Sequence, residues 1–247
     1  AGPCPFPAFP QRRLVVAVPY PGLPAPTASP RPPGRPRPAR PLRRPDDERR
    51  PTGHMLAENL LLLLAVLPFI GAVSAVTMPV SARNAEVALA SSVMVAGLLA
   101  LAVLFQDVTA GQVVSRTLSW APSLGLDVTL RLDGFSWLML LLVYGIGLLV
   151  VIYARYYLAP SDPVPRFYGF LLAFAGSMVG VLIAGNIILM VVFWELTSLF
   201  SFLLIGYWHQ NAGARDGART ALVVTSAGGI ALLAAMVLLG QAVGSYQ

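Results

Sequence analysis

The chain has 247 residues, 56% hydrophobic and only 11% charged, with a mean hydropathy of +0.71 and a formal net charge of +6. Soluble domains carry about 25% charged residues, so this composition excludes a soluble enzyme and points to a membrane protein. One cysteine (Cys4) and two histidines (His54 and His209) exclude an intrachain disulfide and imply no metal site; without a phosphate loop, a dinucleotide fingerprint or a hydrolase elbow, no cofactor is implied either.

Residues 1–54 hold sixteen of the 22 prolines, and ten arginines stand there against Asp46, Asp47 and Glu48. Such a stretch has no apolar period with which to bury a core, so it reads as a disordered Pro/Arg-rich extension. An arm for anionic lipid or nucleic acid is the alternative, and no nucleic-acid partner follows from the rest of the chain. Residues 55–247 hold the other seven arginines and eight acids, so the basicity belongs to the tail. All seventeen basic residues are arginine. Met55 precedes a typical membrane-protein start, MLAENLLLLLAVLPF, and residues 1–54 are accordingly expected not to be native.

The apolar runs after Met55 predict an all-α membrane domain over 55–247 with six spans, at about 59–79, 86–105, 134–157, 167–184, 186–208 and 219–243. Pro68 in the first span is tolerable where neighbouring helices satisfy the freed backbone groups. Gly176, Gly180 and Ala184 recur every four residues in the fourth, the small-xxx-small pattern of close helix contact. Between spans two and three, VVSRTLSW and LDVTLRLDG alternate polar and apolar residues around APSLG. That pattern predicts a short β-hairpin, with an irregular loop as the alternative.

Orientation is read from arginine in short loops. Arg83, Arg155, Arg166, Arg215 and Arg219 fall on one side, Arg116 and Arg131 on the other. The first side is therefore expected to be cytoplasmic, with the Met55 end and the C-terminus outside.

The fifth span, NIILMVVFWELTSLFSFLLIGYW, is apolar throughout except for Glu195 near its middle. A charge at that depth costs roughly 2.5–3.5 kcal/mol on insertion scales, so the default reading is functional. Ser198 and Ser201 follow Glu195 at helical steps of three and, with Thr225 of the sixth span, form a candidate polar lining. Burial is expected to favour the protonated carboxyl and so to make Glu195 a proton relay. A carboxyl kept neutral as helix glue is the alternative. Asp133 opens the third span, where it favours the helix N-terminus and is a weaker candidate for proton entry. Arg219 is a candidate cytoplasmic-end residue that could reach inward, and Tyr207 and Trp208 fit an interfacial aromatic belt.

FWELTSLFSFLLIGYWH (193–209), LRLDGFSWLMLLLVYGIGLLVVIYARYYL (130–158) and RFYGFLLAFAGSMVGVLIAGN (166–186) resemble the large antiporter-like membrane subunits. These are shared by multisubunit cation/proton antiporters and respiratory NADH–quinone oxidoreductase. WELTS running into SFLLIGYW, with TSAGGIALL (225–233), is most similar to the large A-type component of the Mrp/Mnh-type Na⁺/H⁺ antiporter. The resemblance implies a plasma-membrane protein that works with other membrane subunits, exchanging Na⁺ or K⁺ for H⁺, with Glu195 as the proton-pathway carboxylate of the fifth span. It also implies a lysine partner on a later helix. The chain has no lysine and ends after six spans, so the resemblance implies the N-terminal part of a longer protein. Two other functions stay open: a proton-pumping subunit of the quinone oxidoreductase, and a non-transporting truncated or scaffold subunit.

Overall fold

The computed structural model describes residues 50–121, 126–159 and 162–243. They form α1 (Arg50–Val76), α2 (Arg83–Thr109), β1 (Val114–Ala121), β2 (Leu126–Leu132), α3 (Gly134–Tyr157), α4 (Val164–Ile183), α5 (Ile187–Ile205) and α6 (Ala212–Val243). All six helices are long and apolar enough to cross a membrane, and α1 runs through Pro68 without a break.

Two boundaries differ from the hydropathy reading. Helix α1 starts at Arg50, so residues 50–54 are helical rather than part of an unstructured extension; the rest of that extension lies outside the described residues. Helix α6 starts at Ala212, with the Asn211 side chain accepting from the Gly213 N–H at 2.9 Å. Arg215 is therefore in its first turn rather than in the preceding loop, and Arg219, expected to open the sixth span, lies about two turns inside the helix. Hydropathy locates only the apolar stretch, whereas a capped helix continues past it.

The hairpin pairs β1 and β2 antiparallel from Val114↔Leu132 onward, with an irregularity between Ser119 and Ala121. It closes one end of the bundle. Leu130 pairs with Ala184, and the Gly185 N–H donates to the Thr129 carbonyl at 2.7 Å, so β2 clasps the α4–α5 turn. A Cβ on Gly185 would collide with Thr129, which is why a glycine stands at this approach. Arg116 donates to the Asn59 side chain and holds β1 to α1.

In the bundle α1 packs on α4, α4 on α5, α2 on α3 and α5 on α6. Leu61, Leu64, Met94, Leu101, Leu140 and Tyr144 are fully buried in its core. Tyr144 lies where a Cβ on Gly97 would be, and its hydroxyl donates to the Leu64 carbonyl at 2.8 Å. One glycine thus lets a large ring tie α3 to α1 across α2. The predicted glycine row of α4 does bring helices close, but toward two different partners. Gly176 receives Phe69 of α1 and Gly180 receives Phe193 of α5, and those rings stack with centroids 6.4 Å apart. Helices α5 and α6 keep much of their apolar surface exposed, Trp194, Leu199, Val223 and Ile230 included.

Candidate functional site

The site is built on α5 and α6. Asn186 starts α5: its side chain, itself buried, accepts from the backbone N–H groups of Ile188 at 2.8 Å and Leu189 at 3.4 Å. Such an N-cap satisfies donors that would otherwise be orphaned at the helix start. From that fixed end, Glu195 is carried to the middle of the helix and turned toward α6. Its carboxyl occupies the place that a Cβ on Gly229 would take. The absence of a side chain at 229 is what admits the carboxyl between the two helices.

Beside it, a cavity of about 620 Å³ is lined by α4, α5 and α6. Ser198, Ser201 and Thr225 all face it, together with Thr197, Trp194 and Gly228. Ser198, Ser201 and Thr225, picked out in the sequence, are therefore brought to one cavity, while Glu195 is adjacent to its lining residues and is not itself one of them. Their hydrogen bonds, however, stay within their own helices. Ser198 donates to the Trp194 carbonyl at 3.3 Å, Thr197 to the same carbonyl at 2.6 Å, and Thr225 to the Ala221 carbonyl at 2.9 Å. Serine and threonine in helices commonly satisfy themselves in this way.

Glu195 differs from expectation in two respects. It is half-buried rather than enclosed, because α5 and α6 leave one flank of the pair uncovered. No described residue hydrogen-bonds its carboxyl, and no cation reaches it among the described residues. An ionised carboxylate without a partner is costly in hydrocarbon, so the group needs water, a proton or a cation supplied from outside these six helices.

The remaining candidates sit at the two ends. Asp133 caps α3, accepting from the Ser136 N–H at 2.9 Å. That bond above all, helped by the Ser136 hydroxyl and by Arg131, holds its carboxyl below the ordinary aspartate range. Its position explains a structural role at the hairpin end. Arg219 is exposed and lies 3.9 Å from Asp216, one turn away. It borders a second cavity of about 310 Å³ with Arg166, Arg215 and His209, and does not reach toward Glu195. Of the expected aromatic belt, Trp208 is exposed but Tyr207 is buried against Phe167, with ring centroids 5.5 Å apart. Burial pushes the Tyr207 hydroxyl up to about 12.

A second ionisable group emerges only in three dimensions. Glu86, in the first turn of α2, is fully buried, and both carboxylate oxygens lack a hydrogen-bond partner. Arg83, three residues earlier, extends to the end of α3 and donates to the carbonyls of Arg155, Leu158 and Ala159. In the sequence Glu86 stands at the rim of the second apolar run, where acids are ordinary. Its spacing from Arg83 is the one signal the sequence offers.

Fold and site together define a multi-pass membrane protein with ionisable groups set into its helices. The family model described as "NADH-Ubiquinone oxidoreductase (complex I), chain 5 N-terminus" matches residues 119–168. That described as "NADH:quinone oxidoreductase/Mrp antiporter, TM" matches residues 184–247. The chain is 50% identical over 191 residues to the probable K⁺/H⁺ antiporter A/B subunit of Rhizobium meliloti, covering 77% of this chain and 19% of that protein. It is 43% identical over 136 residues to the Na⁺/H⁺ antiporter A1 subunit of Staphylococcus aureus, covering 55% of this chain and 17% of that protein. Among solved structures, the Mrp complex from Dietzia sp. DQ12-45-1b aligns with a TM-score of 0.63 and 28% identity, over 75% of this chain and 20% of the matched one. The membrane-bound sulfane sulfur reductase, an archaeal respiratory membrane complex, shares the fold with a TM-score of 0.63 at 21% identity, over 76% of this chain and 29% of that one. Residues 119–168 and 184–247 of the chain belong to the antiporter-like membrane subunits common to NADH:quinone oxidoreductases and Mrp antiporters, and over its aligned residues the chain matches the large A-type component of the Mrp antiporters. It spans about a fifth of the length of these two relatives.

Proposed function

We propose that the chain serves as part of the large subunit of a monovalent cation/proton antiporter in the plasma membrane, assembled with other membrane subunits and exchanging Na⁺ or K⁺ for H⁺. The identity of 50% over 191 residues to a K⁺/H⁺ antiporter component supports this reading over a redox-driven pump. The arginine bias supports an orientation with the α1–α2, α3–α4 and α5–α6 loops in the cytoplasm, which sets the Met55 end and the far end of α6 outside.

The observation that carries the mechanism is the seat of Glu195 on Gly229, beside a cavity with hydroxyl groups on its wall. A proton arriving through water in that cavity binds the carboxyl and relieves the cost of a charge in the membrane. Its release requires a cation nearby to stabilise the carboxylate, and this chain contains no lysine. The cationic partner must then be an arginine or a group from outside the chain. Ser198, Ser201 and Thr225 serve as lining that orients water. Asp133 and Arg219 act at the two ends, the first by capping α3 and the second as surface charge.

The test is cation-induced collapse of a proton gradient in inside-out vesicles that carry the complex containing this chain. Na⁺ or K⁺ is expected to dissipate the gradient. A gradient indifferent to both ions, with the complex assembled, contradicts antiport.

A further inference from the structure

Glu86 has no part in the mechanism above, yet it is the most enclosed carboxyl among the described residues. Its accessibility is 0%, and neither oxygen is hydrogen-bonded. Its surroundings act on it in opposing directions. Burial in low dielectric favours the neutral acid. The N-terminus of α2, in whose first turn Glu86 stands, favours the anion. Arg83 is committed in only part of its fork: its two terminal nitrogens donate to the end of α3, while the buried Nε–H donates to nothing. The unused donor and the two unused acceptors belong to residues three apart in the first turn of α2, with no ion pair between them among the described residues. From the packed elements, Arg155 of α3, Tyr168 of α4 and Tyr207, just past α5, are further ionisable groups of this cluster; Tyr207 is buried, its hydroxyl has no partner, and Arg83, Arg166 and Asp162 are within its electrostatic reach. Arg155 and Tyr168 lie within electrostatic reach of one another, and Glu86 and Arg83 are in reach of Tyr168. The Tyr168 hydroxyl is occupied by the Val151 carbonyl at 3.1 Å and is not available to Glu86.

We propose that Glu86 is a second proton-exchanging carboxyl, at the arginine-rich end of the bundle, with Arg83 as the group that receives its charge. On release, the carboxyl O–H bond breaks and the proton passes to a water molecule admitted when the start of α2 opens, since Glu86 is fully enclosed in this structure and lines neither cavity described above. The carboxylate left behind then accepts from the idle Arg83 Nε–H, while the terminal nitrogens keep their hold on α3. The site adds a proton-binding step at the end of the molecule opposite the hairpin. It rests on the geometry of Glu86 and Arg83, not on the antiport reading, and its test leaves Glu195 out.

The test is infrared difference spectroscopy of the carboxylic-acid C=O stretch on the whole chain in lipid nanodiscs, titrated with pH. The parent is Glu195→Gln, which removes the mid-helix acid of α5; Glu58, Asp107 and Asp216 stay, and the Glu86 variants separate them from Glu86. The parent is expected to show a protonated carboxyl at neutral pH that shifts in D₂O and is lost reversibly toward alkaline pH. Adding Glu86→Gln should remove the band, and adding Glu86→Asp should move it in frequency, which keeps the assignment safe if the Gln variant folds poorly. Adding Arg83→Gln should raise the titration midpoint by at least about one pH unit, and Arg83→Lys by less. The proposal is overturned if Glu86 is ionised throughout, if its band neither exchanges nor titrates, or if Arg83→Gln leaves the midpoint unmoved.

Discussion

The carboxyl of Glu195 lies against the α-carbon of Gly229, in the space that any larger residue there would fill. The acid on α5 and the glycine on α6 are parts of one arrangement. Neither has meaning alone: a side chain at 229 would expel the carboxyl toward lipid or into the cavity. Gly229→Ala is therefore expected to reduce cation/proton exchange by up to about a hundredfold, as displacement of a reacting group by about 1 Å can do. Assembly should be retained, because only the flexible end of Glu195 has to move. Flux in vesicles, normalised to the amount of assembled complex, is the measurement.

A different glycine governs stability rather than transport. Gly97→Ala drives a methyl into the Tyr144 ring and is expected to cost about 1–3 kcal/mol through overpacking. Tyr144→Phe, which loses only the bond to the Leu64 carbonyl, should cost about 0.5–1.5 kcal/mol. Thermal unfolding in detergent should rank wild type above Tyr144→Phe, and Tyr144→Phe above or level with Gly97→Ala.

At the hairpin end, Asp133→Ala removes the α3 cap and should cost about 1 kcal/mol, whereas Asp133→Asn keeps an acceptor and should lose only the smaller part that depends on the charge. The lowered Asp133 pKa sets the sign of the pH effect. Its contribution is fully present above the ordinary aspartate value near 3.9, and it fades as pH falls through the depressed folded value. Acid unfolding curves of wild type and Asp133→Asn should therefore converge only below that range.

Arg83 is expected to be structural in addition to any proton chemistry. It covers carbonyls that would otherwise be unsatisfied at the end of α3. Arg83→Ala should loosen that end, and amide hydrogen exchange should quicken at Tyr156–Leu158 while the hairpin end stays unchanged.

The fold is largely legible in the sequence because the membrane reduces it to lengths of apolar chain. Six runs correspond to six helices, and β-period alternation around APSLG marks the hairpin. Helix α3 is placed to the residue because Asp133 is both the end of an alternating strand and a cap. The start of α6 is not, because the polar stretch before Arg219, with Arg215 and Asp216, resembles a loop in a hydropathy profile, although a capped helix extends beyond the apolar core. Burial is harder to read, since it depends on partners that hydropathy does not see. Tyr207 reads as interfacial and is buried; Glu195 reads as enclosed and is half-buried; Glu86, unremarked in the sequence, is fully buried. In each case the neighbour on another helix decides the outcome.

The most direct test of the central claim is proton-gradient-driven Na⁺ and K⁺ efflux with Glu195→Gln in the assembled complex. Gln keeps the size and polarity of the side chain and removes its ability to carry a proton. The account predicts that exchange of both cations is abolished while the complex assembles at wild-type levels. Efflux at the wild-type rate in that variant would contradict it.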